Sequence, residues 1–350
     1  MDSKRVSGEI EEKIALMSPA YPFPLIKIFL IITYIHSLVF ANGNVQSYQA
    51  EEQAIAKQIT QLLLKQKQLK IDIKYMKNAS DVESAVDSIV VVPPKKERSL
   101  LIFSKTTGFR HGSIELGTAV FQKVAEKTGA FTVEVSENMD DINTENLARF
   151  DAIMMLNTTG NPIHRKDPRK AFDNFLKEGK GLIGIHAATD CHSNWKEYMS
   201  AMGGLFAGHP WFSKSLVTLC NEDPNHPCAH MIPQGYKIKD EIYQYQDDKY
   251  FTRDALRILV SLDLHGEDMF RDKAKRKDHD YAVSWIREYG KGKVFYTNLG
   301  HNESTFMNPI ALQHMVSGIQ YAFGDIEADA TPSAKIGKLP KAPPAEFLRN

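Results

Sequence analysis

The feature that most constrains the fold is an alternation of short apolar runs with longer amphipathic stretches from residue 99 onward. The early apolar runs predict strands at 100–103, 131–135, 152–156 and 181–185. Helices are predicted between them, at 113–128 and 169–178. Strands joined through helices form right-handed crossovers, so this order indicates a mostly parallel sheet with helices on both faces. The sequence therefore predicts an α/β, doubly wound fold.

The later apolar runs lie closer together along the chain. They predict strands at 215–219, 241–245, 257–262, 282–285 and 294–297. Such short spacings leave little room for crossover helices, so we expect an antiparallel edge here. A closing helix is predicted at 308–323, which places the α/β domain at 99–325. The tail, 326–350, has several prolines and few large apolar residues and is predicted to be disordered or extended.

The N-terminal residues differ in character from the rest of the chain. Residues 28–41 form a mostly apolar run behind a lysine, with Val39 and Ala41 at the positions that a signal peptidase accepts. The run is shorter than the roughly 20 apolar residues of a comfortable membrane span. We therefore predict a signal peptide at 1–41 and a periplasmic or secreted protein. The alternative is a membrane anchor formed by 25–41.

Residues 42–98 are predicted to form a separate N-terminal helical segment and a linker. The helix spans 46–78, where seam residues recur at alternating intervals of four and three, as in a coiled coil. The seam consists of Ile55, Ile59, Leu62, Gln66, Leu69, Ile73 and Met76. One seam needs a partner surface, which is either the body of the same chain or a second copy bound by self-association. The polar and proline-containing stretch up to residue 98 is predicted to be the linker.

Charge and motif content exclude several functional classes. The 350 residues include 43 Lys and Arg against 43 Asp and Glu, a formal net charge of zero. Binding to nucleic acid without sequence preference needs a broad positive field, so nucleic acid is not an expected partner. The chain has no P-loop, and the glycine-containing stretch directly after the first strand, TTGFRHGSIELG, lacks GxGxxG. No nucleotide cofactor is therefore expected.

A cysteine or serine nucleophile is also not expected. Cys220 and Cys228 either form one bridge across a short loop or remain free thiols, and Cys191 has no paired base. The sequence has no GxSxG elbow. The corner after the strand at 181–185, where such an elbow would carry its nucleophile, holds His186. A nucleophile-triad hydrolase is therefore disfavoured.

Histidines recur directly after the predicted strands. His111, His186 and His301 each follow one strand, and His209 lies in a glycine-containing loop. Ligands of open α/β sheets bind outside the carboxyl ends of the strands, where these loops meet. Each histidine taken alone fits an ordinary loop or core role. Their recurrence favours a site at which imidazoles exchange protons or bind a metal.

Two versions of this chemistry are open. In the first, His186, His111 and Asp190 are the catalytic acids and bases; Asp190 lies four residues after His186, on the same side of a helical turn. In the second, a divalent ion such as zinc or manganese is held by His111, His186, His209 and Glu241. The spacing of the residues does not decide between them.

Five stretches of the sequence resemble one known family. They are FSKTTGFRHGSIELG, GKGLIGIHAATD, GGLFAGHPW, DEIYQY and AVSWIREYGKGKVFYTNLGH. From about residue 100 to residue 323 the chain resembles trehalose-utilisation (ThuA-like) domains. The resemblance implies a flavodoxin-like α/β fold, similar to that of class I glutamine amidotransferases, with His186 at the position of the amidotransferase cysteine. The matching motifs imply site residues His111, His186, Asp190, His209, Glu241 and His301.

The same resemblance implies a function in carbohydrate metabolism. Members of the family look like enzymes that act on disaccharides or oxidised (keto) sugars. The resemblance therefore implies a small carbohydrate as the partner and a hydrolase, lyase or isomerase as the activity. The expected substrate contacts are Arg110, His209, Glu241, Tyr243, Trp285 and His301. Tyr243 and Trp285 offer an aromatic wall for a sugar ring, although the strand position of Trp285 also suits the core. The alternatives are a noncatalytic carbohydrate-binding module and an adaptor protein that assembles through 46–78.

Overall fold

The structure is a computed structural model that describes residues 45–349. It divides the chain into two units, with the boundary between Gln68 and Leu69, inside the first helix, α1 (Val45–Lys77). The described part of the first unit is helical, and the second unit contains the remainder of α1 and every other described element. The signal peptide or anchor predicted for 1–41 lies outside the described residues. Among the residues that the structure does describe, no helix has the length and apolar character needed to cross a membrane.

A nine-stranded sheet, counted over the described residues, runs through the second unit. Its strands are β1 (Ser99–Phe103), β2 (Thr132–Ser136), β3 (Ala152–Leu156), β4 (Gly181–Ile185), β5 (Leu216–Asn221), β6 (Lys237–Lys239), β7 (Arg257–Leu262), β8 (Ala282–Tyr289) and β9 (Gly292–Thr297). Their order across the sheet is β2-β1-β3-β4-β9-β8-β7-β5-β6. Strands β3 and β4 are buried along their whole length, which is typical of parallel strands covered on both faces.

The sheet has a parallel half and an antiparallel half. Strands β2, β1, β3, β4 and β9 pair in parallel, whereas β9, β8, β7, β5 and β6 pair antiparallel. The antiparallel part is therefore larger than the edge that the sequence predicts. The reason lies in the connections: only Gly290 and Lys291 join β8 to β9, and a link this short can only reverse the chain. Gly290 has a φ of 62°, which glycine adopts without strain.

Helices cover both faces of the sheet. They are α2 (Ala79–Asp87), α3 (Ile114–Thr128), α4 (Thr144–Leu147), α5 (Lys166–Lys177), α6 (Lys196–Met202), α7 (Glu303–Phe306) and α8 (Pro309–Phe323). Successive residues of a strand point to opposite faces. Leu100 of β1 accordingly joins one apolar core with Val120 of α3, and Leu101 joins the other core with Phe172 of α5. The chain is thus a mixed α/β protein with a helical N-terminal region.

Part of the predicted linker is a helix. Helix α2 follows α1 after a single residue and buries Val82, Ala85 and Val86 in the core that contains α3. The polar residues that indicate a linker in the sequence, Ser80 and Asp81, lie on its exposed side. Three apolar residues at helical spacing are enough to dock this short helix on the domain. The α/β domain therefore has a helical element before residue 99.

The strand predicted at 241–245 is not part of the sheet. Among residues 45–349, its bridges are those of Ile242 with Trp211 and of Tyr245 with Phe206. Between them, the N–H of Tyr243 donates to the side-chain oxygen of Asn298 at 3.1 Å instead of to a neighbouring strand. All five residues of the segment are buried, so its apolar residues reflect packing outside the sheet. The short strand β6, just before it, is missed by the sequence pattern.

The tail predicted at 326–350 has short helical turns and contacts with the domain as far as the structure describes it. It contains two short 3₁₀ helices, Ser333–Ile336 and Phe347–Arg349. The N–H of Ser333 donates to the carbonyl of Leu256, and the Ser333 hydroxyl oxygen accepts from the N–H of Ile258, both at 2.9 Å. A hydroxyl and the backbone hold this segment against β7. Composition does not reveal such anchoring.

Candidate functional site

Four side chains from different parts of the chain converge beyond the carboxyl ends of the parallel strands. His111 lies between β1 and α3, His186 directly after β4, Glu241 between β6 and β7, and His301 between β9 and α7. Each offers one nitrogen or oxygen, and these four atoms all lie within 4.8 Å of one another. We call these four residues the His–Glu cluster.

The backbone of His186 has an unusual conformation. Its φ is 47°, a left-handed value that few non-glycine residues adopt. His186 begins a 3₁₀ turn, His186–Thr189, that follows β4 without an intervening residue. The hydroxyl of Tyr296 donates to the carbonyl of His186 at 2.7 Å and helps to hold the turn. Backbone strain of this kind persists only where surrounding structure maintains it, and it is concentrated at functional sites.

The neutral ring of His186 has a defined tautomer. Its Nδ1 lies 2.7 Å from the carbonyl oxygen of Asn298, which only accepts, so Nδ1 carries the proton. The lone pair of Nε2 then faces Nδ1 of His301 at 3.2 Å and Oε1 of Glu241 at 3.7 Å. A histidine fixed through one nitrogen by a backbone carbonyl, with the other nitrogen presented to a site, is the usual arrangement of a metal ligand.

Glu241 provides the negative charge of the cluster. Its Oε1 lies 3.2 Å from Nδ1 of His301, and its Oε2 lies 3.5 Å from Nδ1 of His209. Burial raises the pKa of Glu241, but contacts with the rings of His186 and His301 have the larger, opposite effect and bring the pKa well below its ordinary value. For His301 the signs are reversed: burial lowers its pKa, but Glu241 raises it above its ordinary value. The carboxylate is therefore ionised at neutral pH.

His111 adds an uncharged ring to the cluster. Its centroid lies 4.9 Å from that of His186 and 5.1 Å from that of His301, with both contacts edge-on. Burial lowers the pKa of His111 to about 3, and the neighbouring His186 and His301 lower it as well. Its Nδ1 is buried and has no hydrogen-bond partner among the described residues. A buried polar atom without a partner needs an explanation, and a bound ion or water is a common one.

This arrangement is suited chemically to a divalent cation. Three imidazole rings and one carboxylate surround a common centre. Ligand distances of about 2.0–2.2 Å from zinc place neighbouring ligand atoms about 3 to 4 Å apart, which agrees with the separations around His301 and Glu241. Imidazole ligands suit zinc and carboxylate ligands suit manganese, so the mixed set is compatible with both. A cation here would polarise a bound hydroxyl or carbonyl group.

A buried carboxylate that the sequence analysis does not identify supports the cluster. Asp240 Oδ2 accepts from the N–H of Gly300 at 2.7 Å and from the hydroxyl of Thr305 at 2.9 Å. Its Oδ1 accepts from the N–H of Asn302 at 2.9 Å and from that of Glu241 at 3.1 Å. Asp240 thereby fixes the loop between β9 and α7 relative to the segment that carries the cluster's carboxylate.

Asn157 is a second supporting residue that the sequence analysis does not identify. Its backbone is left-handed, with a φ of 50°, and its side chain is fully buried. Its amide donates to the hydroxyl of Ser113 at 3.0 Å and to the carbonyl of Gly300 at 3.1 Å, and its oxygen accepts from the N–H of Ala187 at 3.4 Å. It joins the loops that follow β1, β3, β4 and β9. Three of these loops, those after β1, β4 and β9, carry the histidines of the cluster.

Asp190 and Tyr243 lie beside the cluster and not in it. Burial raises the pKa of Asp190, while the nearby His186 and His209 lower it. The ring of Tyr243 is buried and lies 4.5 Å from the ring of His186. The structure therefore places both residues next to His186. Their roles as catalytic and substrate-binding residues stay predictions.

Two predicted substrate contacts have other partners in the structure. Trp285 is completely buried in the core, where its Nε1 donates to the carbonyl of Met202 at 2.8 Å. It therefore offers no wall for a sugar ring. Arg110 is exposed and pairs with Glu115 at 2.7 Å and with Glu137 at 3.1 Å. Its charge is directed to these carboxylates, which lie outside the cluster.

The converging ligand atoms differ from the predicted metal-ligand set at one position. The sequence predicts His209 as a ligand and His301 as a substrate contact. In the structure His301 belongs to the cluster, whereas His209 lies against the second oxygen of Glu241 with its side chain 43% exposed. The order of motifs along the chain does not show which loop folds inward, which is why the two histidines are exchanged.

The cysteines do not take part in the site. Cys191, Cys220 and Cys228 are all free and buried, so the alternative of a Cys220–Cys228 bridge is not formed. Burial raises the pKa of the Cys191 thiol far above its ordinary value. A buried thiol of this kind is a poor nucleophile because little of it is ionised.

The comparison with protein families identifies one match. The family model described as Trehalose utilisation (ThuA) matches residues 99–322 of this chain. The matched region is more than half of the chain and includes all four residues of the His–Glu cluster. It confirms the resemblance indicated by the sequence motifs.

Solved structures with similar folds include two ThuA-like proteins. One, from Bacteroides uniformis ATCC 8492, has a TM-score of 0.53 at 21% identity and covers 67% of this chain and 93% of that chain. Another, from Parabacteroides merdae ATCC 43184, has a TM-score of 0.48 at 16% identity and covers 73% of this chain and 96% of that chain. The first likeness supports the fold alone. No curated protein matches this chain.

Proposed function

This chain belongs to the trehalose-utilisation (ThuA) family, and we propose that it is an enzyme that processes a small carbohydrate with a divalent cation held by the His–Glu cluster. The family associates the chain with carbohydrate utilisation. We add to this association a bound cation, a catalytic function and roles for individual residues, all argued from the geometry of the side chains around His186.

The main support for the proposal is that the lone pairs at the centre of the cluster outnumber the protons available to them. Nε2 of His186 has no proton in the neutral ring, because Nδ1 donates to Asn298. It faces Nδ1 of His301, and the same His301 nitrogen faces the Glu241 carboxylate. When the His186 ring is neutral, these two ring nitrogens and the carboxylate oxygen share at most one proton, that of His301 Nδ1. A divalent cation satisfies all of these lone pairs at once.

The residues divide into ligands and proton-transfer groups. His111, His186, Glu241 and His301 are the proposed ligands, supported by their neighbours as metal ligands usually are. Asp190 and His209 border the cluster and are the proposed groups that exchange protons with the substrate. Proton transfer by a positioned side chain typically contributes about 10²- to 10⁴-fold to the rate. A bound cation would supply electrophilic activation of a sugar hydroxyl or ketone.

The reaction class follows from the groups that the site contains. The corner after β4 holds a histidine, and the nearby Cys191 thiol is buried with a raised pKa. A covalent acyl or glycosyl intermediate on cysteine or serine is therefore not part of the proposal. A hydrolase, lyase or isomerase that acts on a disaccharide or keto-sugar by proton transfer remains, and this is the activity that we propose.

Export and the finer description of the fold belong to the same proposal. We infer a flavodoxin-like, doubly wound arrangement for the parallel half, because its order, β2-β1-β3-β4-β9, with helices on both faces, matches that topology. We infer export from the apolar run at 28–41. N-terminal sequencing of the chain recovered from producing cells tests export. A mature protein that begins after Ala41 supports it, and a retained 1–41 segment in a soluble protein contradicts it.

Metal content tests the proposed centre. The chain is purified without a metal-binding tag, and its metals are counted by elemental analysis before and after incubation with zinc or manganese. We expect about one ion per chain in the unmodified protein and a large loss in His111→Ala and Glu241→Gln. The matched control is His230→Ala, because His230 is an exposed histidine outside the cluster. An unmodified protein that binds neither ion overturns the proposal.

Turnover tests the proposed activity separately. The metal-loaded protein is incubated with disaccharides and their keto derivatives, and products are separated by chromatography. We expect product with the unmodified chain and a loss of about 10²-fold or more in Asp190→Asn, with the metal content unchanged. Full activity in both Asp190→Asn and His209→Ala on a verified substrate would exclude the assigned proton-transfer groups.

A further inference from the structure

Two exposed phenylalanines lie beside the His–Glu cluster. Phe109 is 67% exposed and Phe212 is 47% exposed. They are the two exposed phenylalanines among residues 49–348, since all others in that range are buried or half-buried. Both lie in ring contact with a histidine of the site region. Two exposed phenylalanine rings beside one polar cluster offer apolar surface that a ligand can remove from water.

The two rings lie at the ends of one chain of contacts. Phe109 packs edge-on against His111, with centroids 4.9 Å apart. At the other end, Phe212 packs edge-on against His209, with centroids 5.4 Å apart, and His209 contacts Glu241. The contacts therefore lead from Phe109 through the residues of the cluster to Phe212.

The loop that carries Phe109 is held in place by the loop that follows β3. The hydroxyl of Thr159 donates to the carbonyl of Phe109 at 2.7 Å, and the N–H of Thr107 donates to the carbonyl of Thr159 at 3.0 Å. The hydroxyl of Thr107 in turn accepts from the N–H of Asn161 at 2.6 Å. Phe109 is therefore an exposed ring on a fixed backbone, and little conformational freedom is lost when a ligand covers it.

The loop that carries Phe212 is pinned to the segment that contains Glu241. The N–H of Ala207 donates to the carbonyl of Gln244, and the N–H of Gln244 donates to the carbonyl of Gly208, both at 2.9 Å. The half-buried ring of Phe206 stacks behind His209 at 6.0 Å, with an interplanar angle of 20°. The second ring is thus also positioned by the backbone next to the cluster.

We infer that Phe109 and Phe212 are stacking platforms for two sugar rings of one glycoside, with the linkage between the rings placed over the His–Glu cluster. This inference rests on the proposed function and adds the two residues that hold the rings of a two-ring substrate. The axial C–H groups of a pyranose form an apolar face, which covers an exposed aromatic ring and removes it from water. Two platforms with a polar centre between them select a two-ring substrate over a free monosaccharide.

Binding to sugars of different size tests the inference. The metal-loaded full chain is titrated calorimetrically with trehalose, maltose and cellobiose as two-ring probes and with methyl α-glucopyranoside as a one-ring probe. We expect tighter binding of at least one two-ring probe. Phe109→Ala and Phe212→Ala should each weaken that binding about 5- to 20-fold, as expected for the loss of one aromatic stacking contact. Phe109→Trp should retain it.

Leu339→Ala is the matched control, because Leu339 is an exposed apolar residue that is not among the described contacts of the site. All variants change exposed side chains, and their metal content is measured in the same preparations. Unchanged binding in either phenylalanine variant, or binding of the one-ring probe as tightly as the best two-ring probe, overturns the inference. So does the absence of two-ring binding at millimolar concentration.

The outcomes also separate this inference from the proposed function. If the chain holds one metal ion but binds two-ring sugars independently of Phe109 and Phe212, the proposed metal centre is supported and the stacking platforms are excluded. If the chain holds no metal ion but both variants fail to bind two-ring sugars, the platforms are supported and the metal-dependent activity is excluded.

Discussion

Nε2 of His186 lies 3.2 Å from Nδ1 of His301, and this His301 nitrogen also lies 3.2 Å from Oε1 of Glu241. When His186 is neutral, its proton lies on Nδ1 and is donated to the carbonyl of Asn298. The three atoms can then be satisfied either by a proton on Nδ1 of His301 or by a metal ion. The same geometry therefore supports metal binding and, without metal, an imidazolium–carboxylate pair. Metal measurements distinguish the two states directly.

Metal binding should stabilise the folded chain if the His–Glu cluster holds the ion. An ion that binds only the folded state adds about 2.7 kcal/mol to the free energy of unfolding at a free concentration 100 times its Kd. We expect a higher Tm with zinc or manganese, reversal by a chelator, and no such rise in His111→Ala. The control His164→Ala removes an exposed histidine and should respond as the unmodified chain does. Equal stabilisation of all three proteins would place the ion elsewhere.

Asp240→Asn should weaken metal binding although Asp240 is not itself a ligand. Each carboxylate oxygen of Asp240 accepts two hydrogen bonds. In asparagine an NH₂ group replaces one oxygen, and this group would face two hydrogen-bond donors that it cannot accept from. The loop that carries His301 would then shift. Loss of a residue that orients metal ligands typically costs about 10- to 100-fold in affinity. The measurement is the metal Kd by competition with a chromophoric chelator.

The control for Asp240→Asn is Asp263→Asn. Asp263 is a partly exposed aspartate whose carboxylate accepts from the N–H of His265, away from the cluster. It should leave the metal Kd unchanged. If Asp240→Asn lowers the free energy of unfolding but leaves the metal Kd of the folded protein unchanged, Asp240 has only a structural role.

Strands buried on both faces could be predicted closely from the sequence. The strands predicted at 152–156, 181–185 and 257–262 have these bounds in the structure. Such strands appear in the sequence as continuous apolar runs, because no side chain faces water. The apolar residues at 241–245 instead reflect burial outside the sheet. Only the partners of its backbone groups, such as Asn298, distinguish it from a strand.

The site could be predicted in outline but not in its supporting residues. The histidines could be recognised because each follows a strand, and the fold brings the ends of these strands together. Asp240 and Asn157 could not, since their importance depends on partners that are distant in sequence. Asn157 and Gly300, for example, are 143 positions apart. A buried polar residue in isolation shows no such pairing.

The stability of the chain should fall in mild acid because His192 is buried in its neutral form. Its Nδ1 donates to the side-chain oxygen of Asn161, and its Nε2 is buried and has no partner among the described residues. Burial, and to a lesser degree the charge of Arg169, lower the pKa of His192 to about 3 from an ordinary value of 6.5. The unfolded chain therefore takes up the proton first as the pH falls. The stability that the neutral ring provides is lost progressively from about pH 6.5 to pH 3.

His192→Asn tests this pH dependence. Asparagine tolerates the left-handed backbone at this position, where φ is 57°, and it does not titrate. Between pH 7 and pH 5 the unmodified chain should lose about 2 kcal/mol more of its free energy of unfolding than His192→Asn does. Urea unfolding at the two pH values provides the measurement. The exposed control His164→Asn should lose as much as the unmodified chain, and an equal loss in all three proteins would show that His192 contributes nothing.

The apolar seam of α1 should mediate self-association. Leu62, Leu69 and Met76 recur at intervals of seven and are each more than half exposed, as expected for a coiled-coil seam that lacks its partner. We predict that the chain is an oligomer in solution and that replacing these three residues together by glutamate makes it a monomer, because charges cannot be buried in such a seam. Light scattering after size-exclusion chromatography gives the molar mass. The control replaces Lys57 and Lys65, exposed on the same helix, by glutamate and should remain oligomeric. A monomeric unmodified chain, or an oligomer that survives the triple substitution, contradicts the prediction.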